Sequence, residues 1–182
     1  MKFLQSWRVR KPADDNESVY ISEKFGVRTL HIGSDTVQSA MRIARPNDLE
    51  VVYTRSMMAF LLFKPEPRNV HMIGLGGGSL AKFIYHHVPL ARVTAVEVNP
   101  QVVAIARQFF LLPPNDERLN VMVGDGNLVF DFDIVVLCLV RSCVRVIVPV
   151  GVGEGVILRV RVKVASNVED GCQVGLCEYV LN

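Results

Sequence analysis

Short runs of β-prone residues form the first clear pattern in the chain. Val19-Tyr20-Ile21 and Thr29-Leu30-His31-Ile32 combine branched and aromatic residues, and Glu23-Lys24-Phe25-Gly26 between them has the composition of a turn. Two such runs around a turn predict a β-hairpin. Residues 1–17 are mixed and polar, and we expect them to form a loose arm.

A longer apolar segment follows the hairpin. Asp48 is a candidate N-cap for a helix that runs from Leu49 to about Lys64. Pro65 and Pro67 would end this helix, because proline cannot donate the backbone hydrogen bond that continues it. Much of the segment is apolar, so we expect it to pack against a sheet.

The middle of the chain alternates between strand and helix patterns. Short apolar runs predict strands, and capping residues mark the helices between them. The predicted strands are Val70–Ile73, Val93–Glu97, Leu119–Val123 and Phe132–Leu137, and the predicted helices are Leu80–His87 and Asn99–Leu111. This alternation indicates βαβ units, so the sequence predicts an α/β fold with a Rossmann-like parallel sheet.

Residues 138–182 differ in composition from the rest of the chain. Valine is frequent, and apolar residues alternate along Val144–Val148 and Leu158–Val164. Alternation with a period of two predicts strands, and no helical period is visible. We therefore expect an atypical, β-rich tail. One hypothesis for the abrupt change is a frameshift in the coding sequence near residue 127, which translation of the other two frames would test.

Composition and charge exclude several classes of protein. The chain has 182 residues, of which 50% are hydrophobic and 21% charged, so it is not disordered over most of its length. A net charge of +2 gives no field that would favour nucleic acid or an anionic membrane. Mean hydropathy is +0.29, but no run reaches the roughly 20 apolar residues of a membrane span. The first residues lack a secretory signal, so we expect a cytoplasmic protein.

The four cysteines do not predict a metal site. Cys138, Cys143, Cys172 and Cys177 have C-x4-C spacing, whereas structural zinc sites more often use C-x2-C pairs. We therefore expect buried or inert thiols and no metal.

Chemistry is concentrated at the predicted carboxyl ends of three strands. Gly74, Gly76, Gly77 and Gly78 form a turn between a strand and a helix, where the backbone can approach a ligand closely. Glu97 ends the next strand, at the position where an acid can accept hydrogen bonds from both ribose hydroxyls. Ligands bind at this edge of open α/β sheets, so the pattern predicts an adenosine site.

The third strand adds a second acid. Asp125 in Gly124-Asp125-Gly126 can accept a hydrogen bond from an adenine amino group. Ser79 stands where the dinucleotide fingerprint G-x-G-x-x-G has its third glycine. This departure favours an S-adenosyl nucleoside over NAD.

These motifs, taken in this order, are similar to those of a known family. The stretch from about Val19 to Gly126 resembles the spermidine synthase (polyamine aminopropyltransferase) family, and in particular its short bacterial members. The family has the class I methyltransferase fold. The features that carry the resemblance are the hairpin, Gln38 in Asp35–Ser39, Tyr53, Gly74–Gly78, Glu97 in Ala95–Pro100, Ala106-Arg107 with Phe109-Phe110, Arg118-Leu119 and Gly124-Asp125-Gly126.

The resemblance implies a reaction and roles for these residues. The family transfers an aminopropyl group from decarboxylated S-adenosylmethionine to a diamine such as putrescine. By resemblance, Gln38 would border the nucleoside and its aminopropyl group, and Gly74, Gly76, Gly77 and Gly78 would form the glycine loop. Glu97 would hold the ribose, and Asp125 with Gly126 would hold the adenine. The nucleoside would be a co-substrate, with no tightly bound cofactor.

Three departures from the family pattern argue against efficient transfer. Active synthases carry an Asp in the glycine loop, where this chain has Gly77, and a Tyr-His-Glu motif that here reads Tyr53-Thr54-Arg55. If Phe132–Val136 is the family's fourth strand, the catalytic Asp is replaced by Cys138. An uncharged thiol neither attracts a cationic amine nor accepts its proton well. The sequence therefore leaves the catalytic residues unassigned.

Three interpretations stay open on the sequence alone. The first is a spermidine-synthase-like protein that binds decarboxylated S-adenosylmethionine or methylthioadenosine, with a polyamine as second substrate. The second is a methyltransferase that uses S-adenosylmethionine, and the third is a degenerate domain without catalysis. An NAD oxidoreductase is a distant fourth.

The sequence also suggests how the chain is organised. Residues 1–47 are expected to form the arm and hairpin, residues 48–137 the Rossmann-like core, and residues 138–182 the atypical tail. By resemblance to the family, a homodimer is expected.

Overall fold

The chain was analysed as a computed structural model of its 182 residues. The structure describes residues 18–33, 37–124, 134–137, 143–150, 156–163 and 175–180.

An antiparallel sheet of three strands forms the N-terminal part. Strands β1 (Val19–Lys24) and β2 (Val27–Ile32) form the predicted hairpin, and β3 (Val37–Arg42) pairs with β2. Strand β3 has no alternating pattern that would predict it from the sequence, since Ser39, Ala40 and Met41 are all buried. A strand covered on both faces has no period of two to detect.

The predicted helix over residues 49–64 is shorter than expected and only partly α-helical. Helix α1 spans Val52–Met57, and a 3-10 helix continues over Met58–Leu62. The N-cap is Val51 and not Asp48, whose carboxylate instead lies 3.4 Å from the guanidinium of Arg45. The assignment of Asp48 as the N-cap was therefore wrong. The chain first makes two successive turns, which are closed by the N–H of Arg45 on the carbonyl oxygen of Arg42 and by the N–H of Asp48 on that of Arg45.

Four parallel strands and two helices form the centre of the fold. Strands β4 (Asn69–Ile73), β5 (Arg92–Glu97) and β6 (Leu119–Val123) alternate with helices α2 (Ser79–His87) and α3 (Pro100–Phe109), and β7 (Ile134–Leu137) pairs with β4. The Asn99 side chain accepts a hydrogen bond of 2.9 Å from the backbone N–H of Gln101 at the start of α3. The predicted Rossmann-like fold is confirmed.

Antiparallel strands extend this sheet on one side. Strands β8 (Cys143–Val150), β9 (Val156–Lys163) and β10 (Gly175–Val180) give a seven-stranded order of β10-β9-β8-β7-β4-β5-β6. The predicted alternations fall on β8 and β9, except for Val164, which lies outside the described residues. The described part of the tail is β-structured, as its composition predicted.

Two apolar clusters hold these layers together. The larger one lies between the central strands, α2 and the α1 region, and it includes the fully buried Phe60 and Ile84. The smaller one joins the N-terminal sheet to α3 through Leu30, Met41 and Phe110. The three-stranded N-terminal sheet is thus packed on the Rossmann-like core. Among the described residues, no helix is long and apolar enough to cross a membrane.

Candidate functional site

The carboxyl ends of β4, β5 and β6 meet at one edge of the sheet. The backbone N–H of Gly74, just after β4, donates to the carbonyl oxygen of Val96 at 2.8 Å. The backbone N–H of Gly124, just after β6, donates to the carbonyl oxygen of Glu97 at 3.0 Å. The glycine turn, the acid and the start of the Gly-Asp-Gly segment are therefore neighbours, as the strand order predicted.

The glycine turn has a backbone conformation that other residues rarely adopt. Gly74, Gly76 and Gly78 have φ values of 88°, 55° and 72°. The N–H of Gly78 closes the turn on the carbonyl oxygen of Leu75 at 3.0 Å, and α2 begins at the next residue. Side chains at these positions would be strained, so glycine is required for the loop to turn into the helix this tightly.

Gly77 is required for a different reason, because its surroundings are filled. A Cβ at this position would lie 2.8 Å from Cδ1 of Phe110 and 2.8 Å from Oγ of Ser39. Contacts this short are not tolerated between nonbonded atoms. The loop is therefore packed between α3 and the N-terminal sheet.

Glu97 holds the loop in place through its carboxylate. Oε2 accepts a hydrogen bond of 2.8 Å from the backbone N–H of Leu75, and Oε1 accepts one of 3.0 Å from the backbone N–H of Asn99. Its side chain is buried, with the residue 8% exposed. Each carboxylate oxygen can accept a further hydrogen bond, so Glu97 can bind two hydroxyl groups without releasing the loop.

The N-terminal sheet supplies one wall next to the glycine turn. Ser39 Oγ and Ser79 Oγ lie 3.2 Å apart, and Ser79 Oγ also donates to the carbonyl oxygen of Ala40 at 3.3 Å. The carbonyl oxygen of Gln38 accepts a hydrogen bond of 3.1 Å from the hydroxyl of Tyr53. Gln38, which the sequence singled out, directly precedes Ser39 on β3, the strand that contacts the glycine loop.

Lys82 is a buried charged residue that sequence reasoning missed. It lies on α2, one turn after the glycine loop, and it is fully buried. Burial lowers the pKa of its ammonium group from 10.5 to about 8. Nothing in the local pattern distinguishes this lysine from a surface lysine, because its partners are distant in the sequence.

Asp125, Gly126 and Cys138 lie outside the described residues. The adenine contact predicted for Asp125 therefore stays a prediction. No group of three or more His, Cys, Asp or Glu residues that could hold a metal ion occurs in the described part of the chain.

The fold and the site together define a class of protein. Parallel strands with helical crossovers, a glycine turn after the first strand and an acid after the second are the arrangement of a Rossmann-like domain of the class I methyltransferase type. A spermidine synthase solved in complex with the transition state analogue AdoDATO has a TM-score of 0.57 to this chain. It is 16% identical and the match covers 76% of this chain and 48% of that one, which shows the likeness in fold.

The sequence comparisons are more specific. The polyamine aminopropyltransferase of Chromobacterium violaceum is 45% identical over 119 residues, which are 65% of this chain and 46% of that protein. The polyamine aminopropyltransferase of Neisseria meningitidis serogroup A is 46% identical over 120 residues, with the same shares of both chains. The resemblance to the spermidine synthase (polyamine aminopropyltransferase) family is confirmed over this part of the chain. The chain spans about half the length of these curated relatives, and no family model matches it.

Proposed function

We propose that this chain binds a sulfur-containing adenosine nucleoside, decarboxylated S-adenosylmethionine or methylthioadenosine, at the glycine loop. The observation that carries the proposal is the hydrogen bond between the Glu97 carboxylate and the backbone N–H of Leu75. This bond holds an anionic acceptor directly beside the glycine loop. In Rossmann-type sites, an acid at this position accepts hydrogen bonds from ribose hydroxyls.

The family reaction is transfer of the aminopropyl group to a diamine such as putrescine, and we propose that this chain performs it weakly or not at all. The acceptor amine is protonated in water, so a base must remove its proton before attack on the sulfonium. General base catalysis contributes about 10²–10⁴-fold to such steps. Position 55 is Arg and position 77 is Gly, so two expected acids are missing from the described part of the site.

A methyltransferase that uses S-adenosylmethionine is the second candidate. The observation that favours it is the start of α2, whose first turn contains no acidic residue. A helix N-terminus carries partial positive charge, so a first turn without an acid favours a carboxylate over a free ammonium group. A donor with an intact amino-acid carboxylate would then bind more tightly than its decarboxylated form.

The remaining parts of the proposal follow from the family. A polyamine would be the second substrate, the chain would form a homodimer, and it would be cytoplasmic. A domain that retains the fold but binds no nucleoside is the alternative to all of these.

Calorimetric titration tests the proposal with four ligands: methylthioadenosine, decarboxylated S-adenosylmethionine, S-adenosylmethionine and NAD. We expect micromolar binding of a sulfur nucleoside and none of NAD. Tighter binding of S-adenosylmethionine than of its decarboxylated form would favour the methyltransferase. A folded protein that binds none of the four would overturn the proposed function and leave the degenerate domain.

The reaction itself needs a separate assay. The protein is incubated with decarboxylated S-adenosylmethionine and putrescine, and the formation of methylthioadenosine and spermidine is followed. The two products must appear in equal amounts if the aminopropyl group is transferred to the diamine. Product formation near the rate of an active synthase would contradict the proposed weakness of transfer.

A further inference from the structure

The ammonium group of Lys82 has its full set of hydrogen-bond partners inside the protein. Nζ donates to the carbonyl oxygen of Phe110 at 2.6 Å, to the carbonyl oxygen of Pro46 at 2.7 Å and to Sδ of Met41 at 3.2 Å. An ammonium group has three N–H donors, so these three acceptors use all of them. The residue is 0% exposed, so water does not contribute.

The three acceptors lie on different parts of the fold. Met41 belongs to β3 of the N-terminal sheet, Pro46 lies in the turn before α1, and Phe110 is the C-cap of α3. Lys82 itself is on α2, so one side chain joins four segments. The sequence separations to Phe110, Pro46 and Met41 are 28, 36 and 41 residues.

The charged groups around Lys82 have other partners. Arg28 of β2 donates to the carbonyl oxygen of Phe109 at 2.6 Å, on the same end of α3. Arg42, next to Met41, is paired with Glu50, and Arg45, next to Pro46, is paired with Asp48. Within the described residues, no carboxylate forms a salt bridge with Lys82. Backbone carbonyls and a thioether therefore balance this buried cation.

The partners of Lys82 are the same segments that pack on the glycine loop. The Phe110 ring and the Ser39 hydroxyl of β3 both lie against Gly77, each 2.8 Å from the position that a Cβ would take. The backbone N–H of Lys82 also donates to the carbonyl oxygen of Gly78 at 2.9 Å. The ammonium group is therefore bonded to β3 and to the end of α3, the two segments that contact the loop at Gly77.

We infer that Lys82 is a positioning residue for the nucleoside site, which it shapes by holding Phe110 and β3 against the glycine loop. The inference rests on the proposed function, since it concerns affinity for the nucleoside. The ammonium group loses its hydration on burial, and its hydrogen bonds to the three acceptors offset this loss. Its contribution is therefore the orientation of its three acceptors and not hydrophobic burial.

The test compares Lys82→Met with a matched control at the other end of α2. Arg118 also donates to backbone carbonyls, those of Tyr85 at 2.7 Å and Val88 at 3.2 Å, but these lie away from the glycine loop. Both variants leave backbone carbonyl oxygens without their donors, so we expect both to lower the melting temperature. The Kd for methylthioadenosine is measured by calorimetry for the wild type, Lys82→Met and Arg118→Met.

We expect Lys82→Met to raise the Kd at least tenfold and Arg118→Met to change it less than twofold. If Lys82→Met binds as tightly as the wild type while its melting temperature falls, Lys82 is merely structural and the inference is overturned. An equal loss of affinity in both variants would overturn it as well. If the wild type binds no nucleoside, the proposed function fails first and the inference falls with it.

A milder variant covers the case in which Lys82→Met does not fold. Lys82→Gln keeps a neutral N–H donor in the same pocket, so we expect an intermediate Kd and a folded protein. An unchanged Kd in this variant, together with a melting temperature as low as that of Arg118→Met, would contradict the positioning role.

Discussion

The ring of Phe110 occupies the space next to Gly77, with Cδ1 only 2.8 Å from where a Cβ of residue 77 would lie. Phe110 is fully buried at the end of α3, and Gly77 lies in the turn before α2. The packing around the glycine turn therefore leaves no space for a side chain at position 77. An acid could not be restored here without moving Phe110 or Ser39.

Substitution of Gly77 should destabilise the protein through overpacking. Gly77→Ala would place a methyl group within 2.8 Å of the Phe110 ring and the Ser39 hydroxyl. We expect the free energy of unfolding to fall by about 1–3 kcal/mol, the usual effect of extra methyl groups in a filled core. Urea denaturation measures this change. An unaltered m value, the slope of the free energy of unfolding against urea concentration, would show that the fold is retained.

Gly124→Ala is the control for that variant. Among the described residues, the nearest atom to its Cβ would be Cγ1 of Val96 at 4.0 Å, which is ordinary contact. Both variants reduce the freedom of the unfolded chain equally, so the difference between them reports the packing at Gly77. Equal stabilities would contradict the overpacking argument.

The carboxylate of Glu97 should matter for both stability and binding. Glu97→Gln removes the charge and leaves one oxygen acceptor for the two backbone N–H groups of Leu75 and Asn99. Hydrogen bonds to charged groups contribute about 1.5–3 kcal/mol each, so we expect unfolding to become easier by about 2 kcal/mol. Calorimetry should show at least a tenfold weaker binding of methylthioadenosine.

Glu117→Gln serves as the charge control for that experiment. Glu117 is exposed and lies just before β6, away from the glycine loop. Its substitution changes the net charge by the same amount and should leave affinity within twofold of the wild type. If Glu97→Gln also binds normally, the carboxylate does not accept from the ribose.

The stability of the protein should depend on pH through Lys82. Burial lowers the pKa of its ammonium group from 10.5 to about 8 in the folded state. Between these values the unfolded chain holds the proton and the folded chain does not, so stability rises with pH. The unfavourable effect of burying the charge is greatest below about pH 8 and disappears above pH 10.5.

Chemical denaturation of the wild type and Lys82→Met between pH 7 and pH 10.5 measures this effect. We expect the wild type to gain stability relative to the variant across this range. A difference between the two proteins that stays flat or falls with pH would show that burial does not lower the pKa of Lys82.

The turn between β1 and β2 offers a stabilising substitution. Phe25 and Gly26 have φ values of 52° and 73°, so both adopt the left-handed conformation of a type I′ turn. Phe25 is 86% exposed, and asparagine tolerates this conformation better than phenylalanine. Phe25→Asn should raise the free energy of unfolding by about 1 kcal/mol.

Phe25→Ala separates the backbone effect from loss of the ring. Both variants remove the contact between the Lys24 ammonium group and the Phe25 ring, whose centroid is 5.2 Å away. Asparagine tolerates the left-handed conformation better than alanine does, so the melting temperature of Phe25→Asn should be higher than that of Phe25→Ala. Equal melting temperatures would mean that the turn is not strained by its side chain.

The sequence by itself determined the features whose signals are local. The turn glycines from Gly74 to Gly78, the Asn99-Pro100 helix start and the alternating strands all depend on residues close together in the chain. Backbone conformation and capping are decided within a few residues, so these elements lie within two or three residues of their predicted positions.

Tertiary structure decided the features whose partners are far apart in the sequence. The strand β3 is buried without alternation because α3 and the glycine loop cover it. Glu97 holds the glycine loop, and Lys82 connects four segments, through hydrogen bonds between residues that are 22 to 41 positions apart in the sequence. No local pattern encodes such contacts, because they form only when the sheet and helices pack together.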